Sequence, residues 1–251
     1  MNLAEIATGV DKTLRIPTNV KCEFCNGTGA KDGTALNTCP TCHGTGTVSQ
    51  VVQGFFGPQE AVSVCPQCEG EGKVISEVCT HCHGDGTQRK DELVSFHIPA
   101  GVQDGMTLTV KGKGNAPRRG GVNGDLLVVI QEVKHPELIR DGNDVIYNLM
   151  LDVSTAALGG AVEVPTITGR ARLNIPAGTQ PGKVLRLRGK GIPSTDSSGT
   201  GDELINVMVY IPENLDAEER AAFESLKNKP NMTPSESTKH RLFSKLKHIF
   251  E

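Results

Sequence analysis

Eight cysteines in four copies of one motif constrain this chain more than any other feature. The motif is Cys-x-x-Cys-x-Gly-x-Gly, and the chain has no cysteine outside it. The copies are CEFCNGTG from Cys22, CPTCHGTG from Cys39, CPQCEGEG from Cys65 and CTHCHGDG from Cys79. A Cys-x-x-Cys turn brings two sulfurs close enough to share one ion, and two such turns complete a tetrahedral zinc site. The eight cysteines therefore predict two Zn²⁺ ions as structural cofactors.

The segment that carries the motifs is polar, rich in glycine and threonine, and has almost no apolar residues for a core. We expect metal ligation to supply much of its folding free energy, about 10 kcal/mol per site. His43, His81 and His83 lie beside the cysteines. Because the cysteines already fill both sites, we expect these histidines to be exposed neighbours rather than ligands. Closed four-cysteine sites leave no position for metal catalysis.

The composition restricts the class of protein. Apolar residues make up 37% of the chain, aromatic residues 4%, and tryptophan is absent, which favours several thin cores over one bulky core. A net charge of −3 provides no basic field for nucleic acid. The sequence shows neither a long apolar run nor a signal peptide, so we expect a cytoplasmic protein without a membrane partner. In a reducing compartment, paired cysteines bind metal more often than they form disulfides.

A second repeat frames the first. The stretch that begins IPAGVQDG at Ile98 aligns with the one that begins IPAGTQPG at Ile175, and 13 of 33 positions are identical at a constant offset of 77. Apolar and polar residues alternate around both copies, which indicates half-buried strands. The duplication also extends backwards from both copies, but in the first copy the cysteine-rich segment separates the two strands. That segment is therefore an insertion at a hairpin turn.

These patterns predict a mostly β fold. It has two tandem, related β-sandwich-like domains, a two-zinc cysteine-rich arm inserted in the first, and a short helical C-terminal tail. The expected boundaries are 1–18 with 91–134 for the first β-domain, 19–90 for the arm, 135–212 for the second β-domain, and 213–251 for the tail with its linker. Only the second domain begins with an extra strand, at 144–153. We therefore expect the chain to be an N-terminally truncated form.

The tail contains two helical patterns. Residues 216–227 favour a short helix with an acidic first turn. After a linker, the last stretch places five apolar residues on one face, with Lys and Arg opposite. These five residues are Leu242, Phe243, Leu246, Ile249 and Phe250. Three interpretations stay open for this face: docking on its own chain, self-association, or contact with a membrane surface.

Four such motifs inserted in the first of two related β-domains resemble the class I DnaJ-type co-chaperones, over Leu3 to Pro212. The resemblance implies that the first and fourth motifs share one zinc ion and the second and third share the other. Spacing alone leaves the sequential pairing equally open. Carried onto this chain, the implied ligands are Cys22, Cys25, Cys79 and Cys82 for one ion, and Cys39, Cys42, Cys65 and Cys68 for the other.

The resemblance also implies a function that needs no catalytic group. Such co-chaperones bind unfolded polypeptides and deliver them to a DnaK-type ATPase chaperone, and they usually form homodimers through the C-terminal region, where the five apolar tail residues would be the contacts. Clients bind in an apolar groove on the first β-domain beside a strand edge. We expect its lining to be Leu14, Ile16, Val94 and Val128; the alternative is that these four are ordinary core residues.

One departure limits the resemblance. The family's J-domain stimulates the partner ATPase through a His-Pro-Asp motif, and this sequence has none. His135-Pro136-Glu137 is similar in letters only, because it follows a strand of the first β-domain. The Gly/Phe-rich linker of the family is missing too. We therefore expect that this chain does not stimulate the ATPase of the partner chaperone.

Two other classes of function stay open. A thiol-disulfide oxidoreductase would use free Cys-x-x-Cys thiols of low pKa. A nucleic-acid-binding zinc module would need a basic face with stacking aromatic side chains. The cysteine-rich segment has only five cations and few aromatic residues. No specific nucleic-acid partner is expected.

Overall fold

A computed structural model of the chain describes residues 1–54, 57–196 and 199–240. Strands dominate, so the predicted mostly β fold is confirmed. The strands are β1 (Val10–Lys21), β2 (Leu36–Thr38), β3 (Thr47–Gly54), β4 (Gly57–Val64), β5 (Lys73–Ile75), β6 (Thr87–Ile98), β7 (Thr107–Val110), β8 (Leu126–Val129), β9 (Leu138–Asp141), β10 (Asp144–Asp152), β11 (Gly160–Thr166), β12 (Gly169–Ile175), β13 (Val184–Leu187) and β14 (Glu203–Tyr210). The helices are α1 (Leu3–Thr8), α2 (Val153–Leu158) and α3 (Ala217–Leu226).

The strands form small sheets. β1 pairs antiparallel with β6, and β7 pairs antiparallel with β8. β11 neighbours β12, and the order β13-β14-β10-β9 forms a four-stranded sheet. Within the cysteine-rich segment, β2 pairs with β5 and β3 pairs with β4. Among the described residues, no helix is long and apolar enough to span a membrane.

The chain divides into two compact units. The first comprises Met1–Tyr147, Pro165–Ala171 and Arg186–Ile205, and the second comprises Asn148–Val164, Arg172–Leu185 and the chain from Asn206. The four-part division expected from the sequence stays a prediction.

The core of the first unit is aliphatic. A capping box of Asn2 and Glu5 starts α1, which buries Leu3 and Ile6. Phe96, on β6, packs against the same cluster from its edge. The buried members of the cluster are Leu3, Ile6, Ile98, Val102, Ile130, Leu138, Val145 and Ile192. A thin aliphatic core matches the low aromatic content of the sequence.

The second unit buries apolar residues of the same kind. Its α2 begins after Asp152, whose carboxylate accepts a hydrogen bond from the Thr155 N–H at 2.7 Å. The buried apolar residues of this unit include Leu149, Leu151, Ala156, Val164, Ile175 and Val207. The last helix, α3, starts with a capping box of Asp216 and Glu219 and buries none of its residues.

The duplication appears as repeated hydrogen bonds. The Gly112 N–H donates to the Asp125 carboxylate at 2.8 Å, and the Gly189 N–H donates to the Asp202 carboxylate at 2.7 Å. The two glycines are related by the offset of 77, and so are the two aspartates. The Gly-Lys-Gly stretch therefore belongs to a turn closed by an aspartate in both copies, and among the described residues no helix follows it directly to make a phosphate loop.

At one position the duplication aligns a leucine with a buried glutamate. Glu203 aligns with Leu126, but its side chain is completely buried. Among the described residues, neither carboxylate oxygen of Glu203 has a hydrogen-bond partner. Burial raises the pKa of Glu203 from 4.5 to about 7, although the Lys190 charge acts to lower it. The buried carboxyl is therefore a destabilising group at neutral and higher pH.

Glu203→Gln should raise stability at pH 8 but not at pH 5. The folded chain keeps a proton on Glu203 that the unfolded chain loses above its ordinary pKa of 4.5. Between that pH and about 7, stability therefore falls as the pH rises, by at most about 3 kcal/mol. We expect the glutamine variant to gain about 2 kcal/mol at pH 8, measured by urea unfolding with zinc present. The exposed Glu60→Gln is the control, and equal pH slopes for the parent chain and Glu203→Gln would contradict the assignment.

Candidate functional site

Nested strand pairing brings the four cysteine motifs together in two pairs. β1 leads into the first motif and β6 leaves the fourth, and their ladder closes at Lys21 opposite Thr87. β2 leads into the second motif and β5 leaves the third, and Thr38 lies opposite Lys73. Because both pairs of strands are antiparallel, the first motif meets the fourth and the second meets the third. The chain thus folds back on itself to return to its host domain.

Each pair of motifs gathers four sulfur atoms. Cys22, Cys25, Cys79 and Cys82 form the outer tetrad, and Cys39, Cys42, Cys65 and Cys68 form the inner tetrad; within each, all sulfurs lie within 4.8 Å of one another. All eight residues are buried and none forms a disulfide. The structure therefore brings together the sets that the resemblance implies.

The distances between sulfurs fit a tetrahedral ion. Cys25 and Cys82 are 3.7 Å apart at their sulfurs, and the corresponding distance from Cys42 to Cys68 is 3.6 Å. A zinc ion about 2.3 Å from each of four sulfurs holds them about 3.8 Å apart. Disulfide sulfurs lie about 2.05 Å apart, so these pairs are not disulfides. The residues present fit a four-thiolate zinc site in both tetrads.

Backbone donors point at the sulfurs. The last glycine of each motif donates its N–H to the second cysteine of the same motif, at 3.3 Å in all four cases. The donors are Gly29, Gly46, Gly72 and Gly86. Hydrogen bonds to a thiolate favour its charged form. The turn that each Cys-x-x-Cys-x-Gly-x-Gly motif forms, here called a knuckle, therefore stabilises a negatively charged sulfur.

The same glycines also allow the backbones of the two knuckles in each tetrad to approach closely. At Gly46, φ is +75°, and an added Cβ would lie 2.4 Å from the carbonyl oxygen of Gly70. Gly72 stands in the same relation to the carbonyl oxygen of Gly44, also at 2.4 Å. The outer tetrad repeats this arrangement at 2.3 Å. Only glycine satisfies both the backbone angle and this approach.

Within each tetrad, two thiols differ in acidity. Burial acts to raise the pKa of Cys42, but the Gly46 N–H and the Cys68 thiol outweigh it and lower the pKa to about 6. Burial raises the pKa of Cys68 to about 11, with the Cys42 side chain adding to the rise. In the outer tetrad, the pKa of Cys25 is likewise lowered to about 7 and the pKa of Cys82 is raised to about 12. A cation beside each tetrad would favour the thiolate form of its sulfurs.

The outer surfaces of the two tetrads differ. Beside the outer tetrad, the rings of Phe24 and His81 stack with their centroids 3.5 Å apart. Beside the inner tetrad, the equivalent positions are Thr41 and Gln67, which form a hydrogen bond. His43 and His83 are exposed, and no histidine belongs to either metal-binding group in the described chain.

The loop after β7 fastens the arm to its host domain. Arg118 forms an ion pair with Asp85 at 2.8 Å, and the Arg119 N–H donates to the Asp85 carbonyl at 3.2 Å. Arg119 also approaches Glu71 at 3.5 Å. Sequence reasoning missed both arginines. The available signal was that this loop departs from its repeat, which has Thr195 and Asp196 at the equivalent positions.

An open cavity of about 470 Å³ lies on the first unit beside β1 and β8, and its lining is mostly apolar but includes Lys12, Gln131 and Glu132. Leu14 and Val128 line it together with Phe96 and Ile98. Leu14 is 44% exposed, so its side chain is available to a ligand. Ile16 and Val94 do not belong to the lining.

Val94 is only 1% exposed, although it faces Leu14 across the strand pair. Ile16 is partly buried farther along β1. The structure thus brings two of the four expected groove residues into one cavity. The five apolar tail residues that were expected as dimer contacts, Leu242, Phe243, Leu246, Ile249 and Phe250, lie outside the described residues.

Comparisons with known proteins agree with this architecture. A family model described as the DnaJ C terminal domain matches residues 1–212. The whole chain is 48% identical to the "Chaperone protein DnaJ" of Porphyromonas gingivalis and covers 66% of that protein. It is 49% identical to the protein of the same name from Bacteroides fragilis and 45% identical to that from Prosthecochloris aestuarii, and it covers 64% of each. The chain thus spans somewhat less than two thirds of these relatives, and it belongs to the DnaJ C-terminal domain family.

Proposed function

We propose that this chain is the zinc-stabilised, client-binding part of a DnaJ-type co-chaperone and is not an enzyme. The observation that carries the proposal is the half-exposed Leu14 in an apolar cavity beside β1. In the described chain, β1 pairs with β6 alone, so its other edge has no strand partner. An extended segment can add there as a strand and insert a side chain into the cavity.

The two tetrads give the arm its structure in this proposal. Zinc, when bound, supplies a redox-inactive dication that joins four thiolates. Cys22, Cys25, Cys79 and Cys82 would hold one ion, and Cys39, Cys42, Cys65 and Cys68 the other. The glycine N–H groups orient the sulfurs, and burial of all eight thiols keeps water and oxidants away.

We assign delivery of clients to a DnaK-type chaperone to the whole protein, as the family resemblance implies; the relatives' printed name says only that they are chaperones. Self-association through the tail, the cytoplasmic location and the absence of a nucleic-acid partner stay predictions. The Cys-x-x-Cys oxidoreductase is the second candidate function. It is disfavoured because every thiol belongs to a closed tetrad.

The purified chain should contain two zinc ions and no reactive thiol. Buried, ligated thiolates react slowly with an aromatic disulfide reagent, so we expect fewer than one fast thiol per chain. A strong chelator should release two zinc ions and expose eight thiols, and the arm should lose its strand signals in an NMR spectrum. Elemental analysis and thiol titration measure both quantities. Several fast thiols in the zinc-loaded protein would favour the oxidoreductase instead.

Gly46→Ala should weaken the inner tetrad much more than Gly44→Ala. Both glycines have positive φ, +75° and +93°, so both variants bear the same kind of backbone strain. Only at Gly46 does the new methyl group collide with a backbone carbonyl, whereas at Gly44 the nearest atom is the Thr38 Cγ2 at 3.4 Å. We expect the zinc affinity of Gly46→Ala to be about tenfold lower than that of Gly44→Ala. Competition with a chromogenic chelator measures this ratio, and a ratio near one would show that the approach of the knuckles is not limiting.

Leu14→Ser should weaken client binding about tenfold, because a client side chain would lose most of one apolar partner. Fluorescence anisotropy with a labelled, carboxymethylated unfolded protein measures this change. The matched control is Leu127→Ser, since Leu127 is 63% exposed but does not line the cavity. Zinc content and the thermal midpoint should be unchanged in both variants. Equal effects of the two substitutions would remove the cavity as the binding site.

A further inference from the structure

The seventh position of the cysteine motif divides the four knuckles into two kinds. In the first and second motifs it is threonine, and the hydroxyl groups of Thr28 and Thr45 donate to the carbonyl of the second cysteine of their own motif, at 2.8 and 2.7 Å. In the third and fourth motifs the same position is acidic and holds Glu71 and Asp85. An ionised carboxylate can only accept, so these two side chains need donors from outside the knuckle.

One loop of the host domain supplies those donors. Residues 115–121, between β7 and β8, are here called the 115–121 loop. The Arg118 guanidinium lies 2.8 Å from the Asp85 carboxylate, and the Arg119 guanidinium lies 3.5 Å from that of Glu71. The Arg119 N–H also donates to the Asp85 carbonyl at 3.2 Å. Two adjacent residues therefore reach one knuckle of each tetrad, the fourth in the outer and the third in the inner.

The loop is also fixed to the ribbon that enters the arm. The Ala116 N–H donates to the Asn19 carbonyl on β1 at 2.7 Å, and the Asn19 N–H donates to the Asn115 side chain at 2.9 Å. Ala116 is buried. The start of the loop therefore holds the strand that leads into the first motif, and its two arginines hold the knuckles of the third and fourth.

The contact with the fourth knuckle involves the backbone. Gly86 donates its N–H to the Cys82 sulfur at 3.3 Å, and an added Cβ on Gly86 would lie 2.9 Å from the Arg119 backbone nitrogen. Arg119 itself has a φ of +54°, a left-handed conformation that is unfavourable for an arginine unless its surroundings hold it. The conformation of the loop therefore depends on the geometry of the ligand-bearing knuckle.

Charge explains the choice of arginine at these positions. A dication bound by four thiolates leaves a net charge of about −2 on each tetrad. Glu71 and Asp85 each add a further negative charge three residues after a ligand. Among the described residues, the arginines of the loop are the cations paired with these two carboxylates. Without them, each carboxylate would repel the tetrad beside it.

We propose that the 115–121 loop is a lock for the metal-loaded arm. Arg118 and Arg119 act as positioning residues that hold the fourth and third knuckles in their ligated geometry, so metal binding by the tetrads and docking of the loop favour each other. Such coupling is reciprocal: the loop slows release of the metal, and removal of the metal frees the loop. The inference rests on the proposed zinc sites and is independent of client binding.

The two arginines should act on different tetrads. Glutamine at either position removes the charge but keeps the backbone N–H. When a chelator is added in excess, zinc loss from the inner and outer tetrads can be followed by the NMR signals of Gly72 and Gly86, whose N–H groups donate to the sulfurs. We expect Arg118→Gln to release the outer zinc about threefold faster, and Arg119→Gln to do the same for the inner zinc.

Arg89→Gln is the matched control for these variants. Arg89 is exposed on β6 and forms neither of the ion pairs between the loop and the knuckles, so its loss should leave both release rates unchanged. A chain that keeps two zinc ions, with parent release rates in both loop variants, would overturn the loop proposal alone. A chain that binds no zinc would overturn the zinc sites on which the proposal rests.

A variant cycle tests whether charge is the cause. In a Glu71→Gln background, Arg119→Gln should have no further effect, because its partner is already neutral. Arg119→Lys keeps the charge and should release zinc at the parent rate. At 1 M salt, screening should remove the difference between Arg119→Gln and the parent chain. Additive effects that persist at high salt would contradict the ion-pair lock.

Hydrogen exchange tests the reverse direction of the coupling. The Arg119 N–H is bonded to the fourth knuckle, so a chelator should speed its exchange at least tenfold. The Ile130 N–H is the reference, because it donates to the Met106 carbonyl within the host domain at 2.8 Å and should stay protected. Equal protection of Arg119 in the zinc-loaded and chelated chain would show that the loop does not respond to the tetrads, and would overturn the proposal.

Discussion

In the proposed zinc-bound state, the attraction between four buried thiolates and one dication is the interaction on which the arm depends. Between residues 19 and 90, the buried apolar side chains of the described chain are the eight cysteines and Ala30 alone. A segment with so little apolar burial cannot offset its loss of conformational entropy on folding. Hydrogen bonds from the knuckle glycines offset part of the negative charge, but they cannot hold four thiolates together. A metal ion in each tetrad would therefore replace the hydrophobic core that the arm lacks.

The host domain and the arm share no apolar core that could fix the position of the arm. A hydrogen-bonded ribbon and polar contacts connect them instead. The β1–β6 ladder continues for twelve paired positions from Val10 to Lys21, and so it leads from the domain into the arm without a flexible joint. Asn19 links this ribbon to the loop after β7, since its backbone carbonyl accepts from the Ala116 N–H and its N–H donates to the Asn115 side chain. Arg118 and Arg119 extend the same loop to the arm. Exposed ion pairs contribute little individually, so the ladder fixes the arm and the arginines refine its position.

The sequence predicted the mostly β fold and the cysteine turns, but it did not predict the features that depend on which strands pair in space. The repeated glycines and cysteines indicate the knuckles in the sequence. Glycine suits the positive φ angles of these turns, and cysteine supplies the sulfur ligands for a metal. Spacing could not select between nested and sequential pairs of motifs, because that choice depends on the three-residue ladder between β2 and β5. Alternation marked Leu14 and Val94 alike as apolar strand residues. Only the packing of neighbouring strands shows that one side chain is half exposed and the other is buried.

Glu203 and Glu60 show the opposite uses of a carboxylate among apolar residues. Glu203 replaces a leucine of the repeat and is buried without a partner, so it can only weaken the fold once it is ionised. Glu60 lies opposite Val51 on an exposed face of the β3–β4 hairpin, where water solvates its charge. If two identical hairpins pair antiparallel about a two-fold axis near this position, their carboxylates approach each other and repel. One charge on an exposed edge can therefore discourage the pairing of two copies of this hairpin.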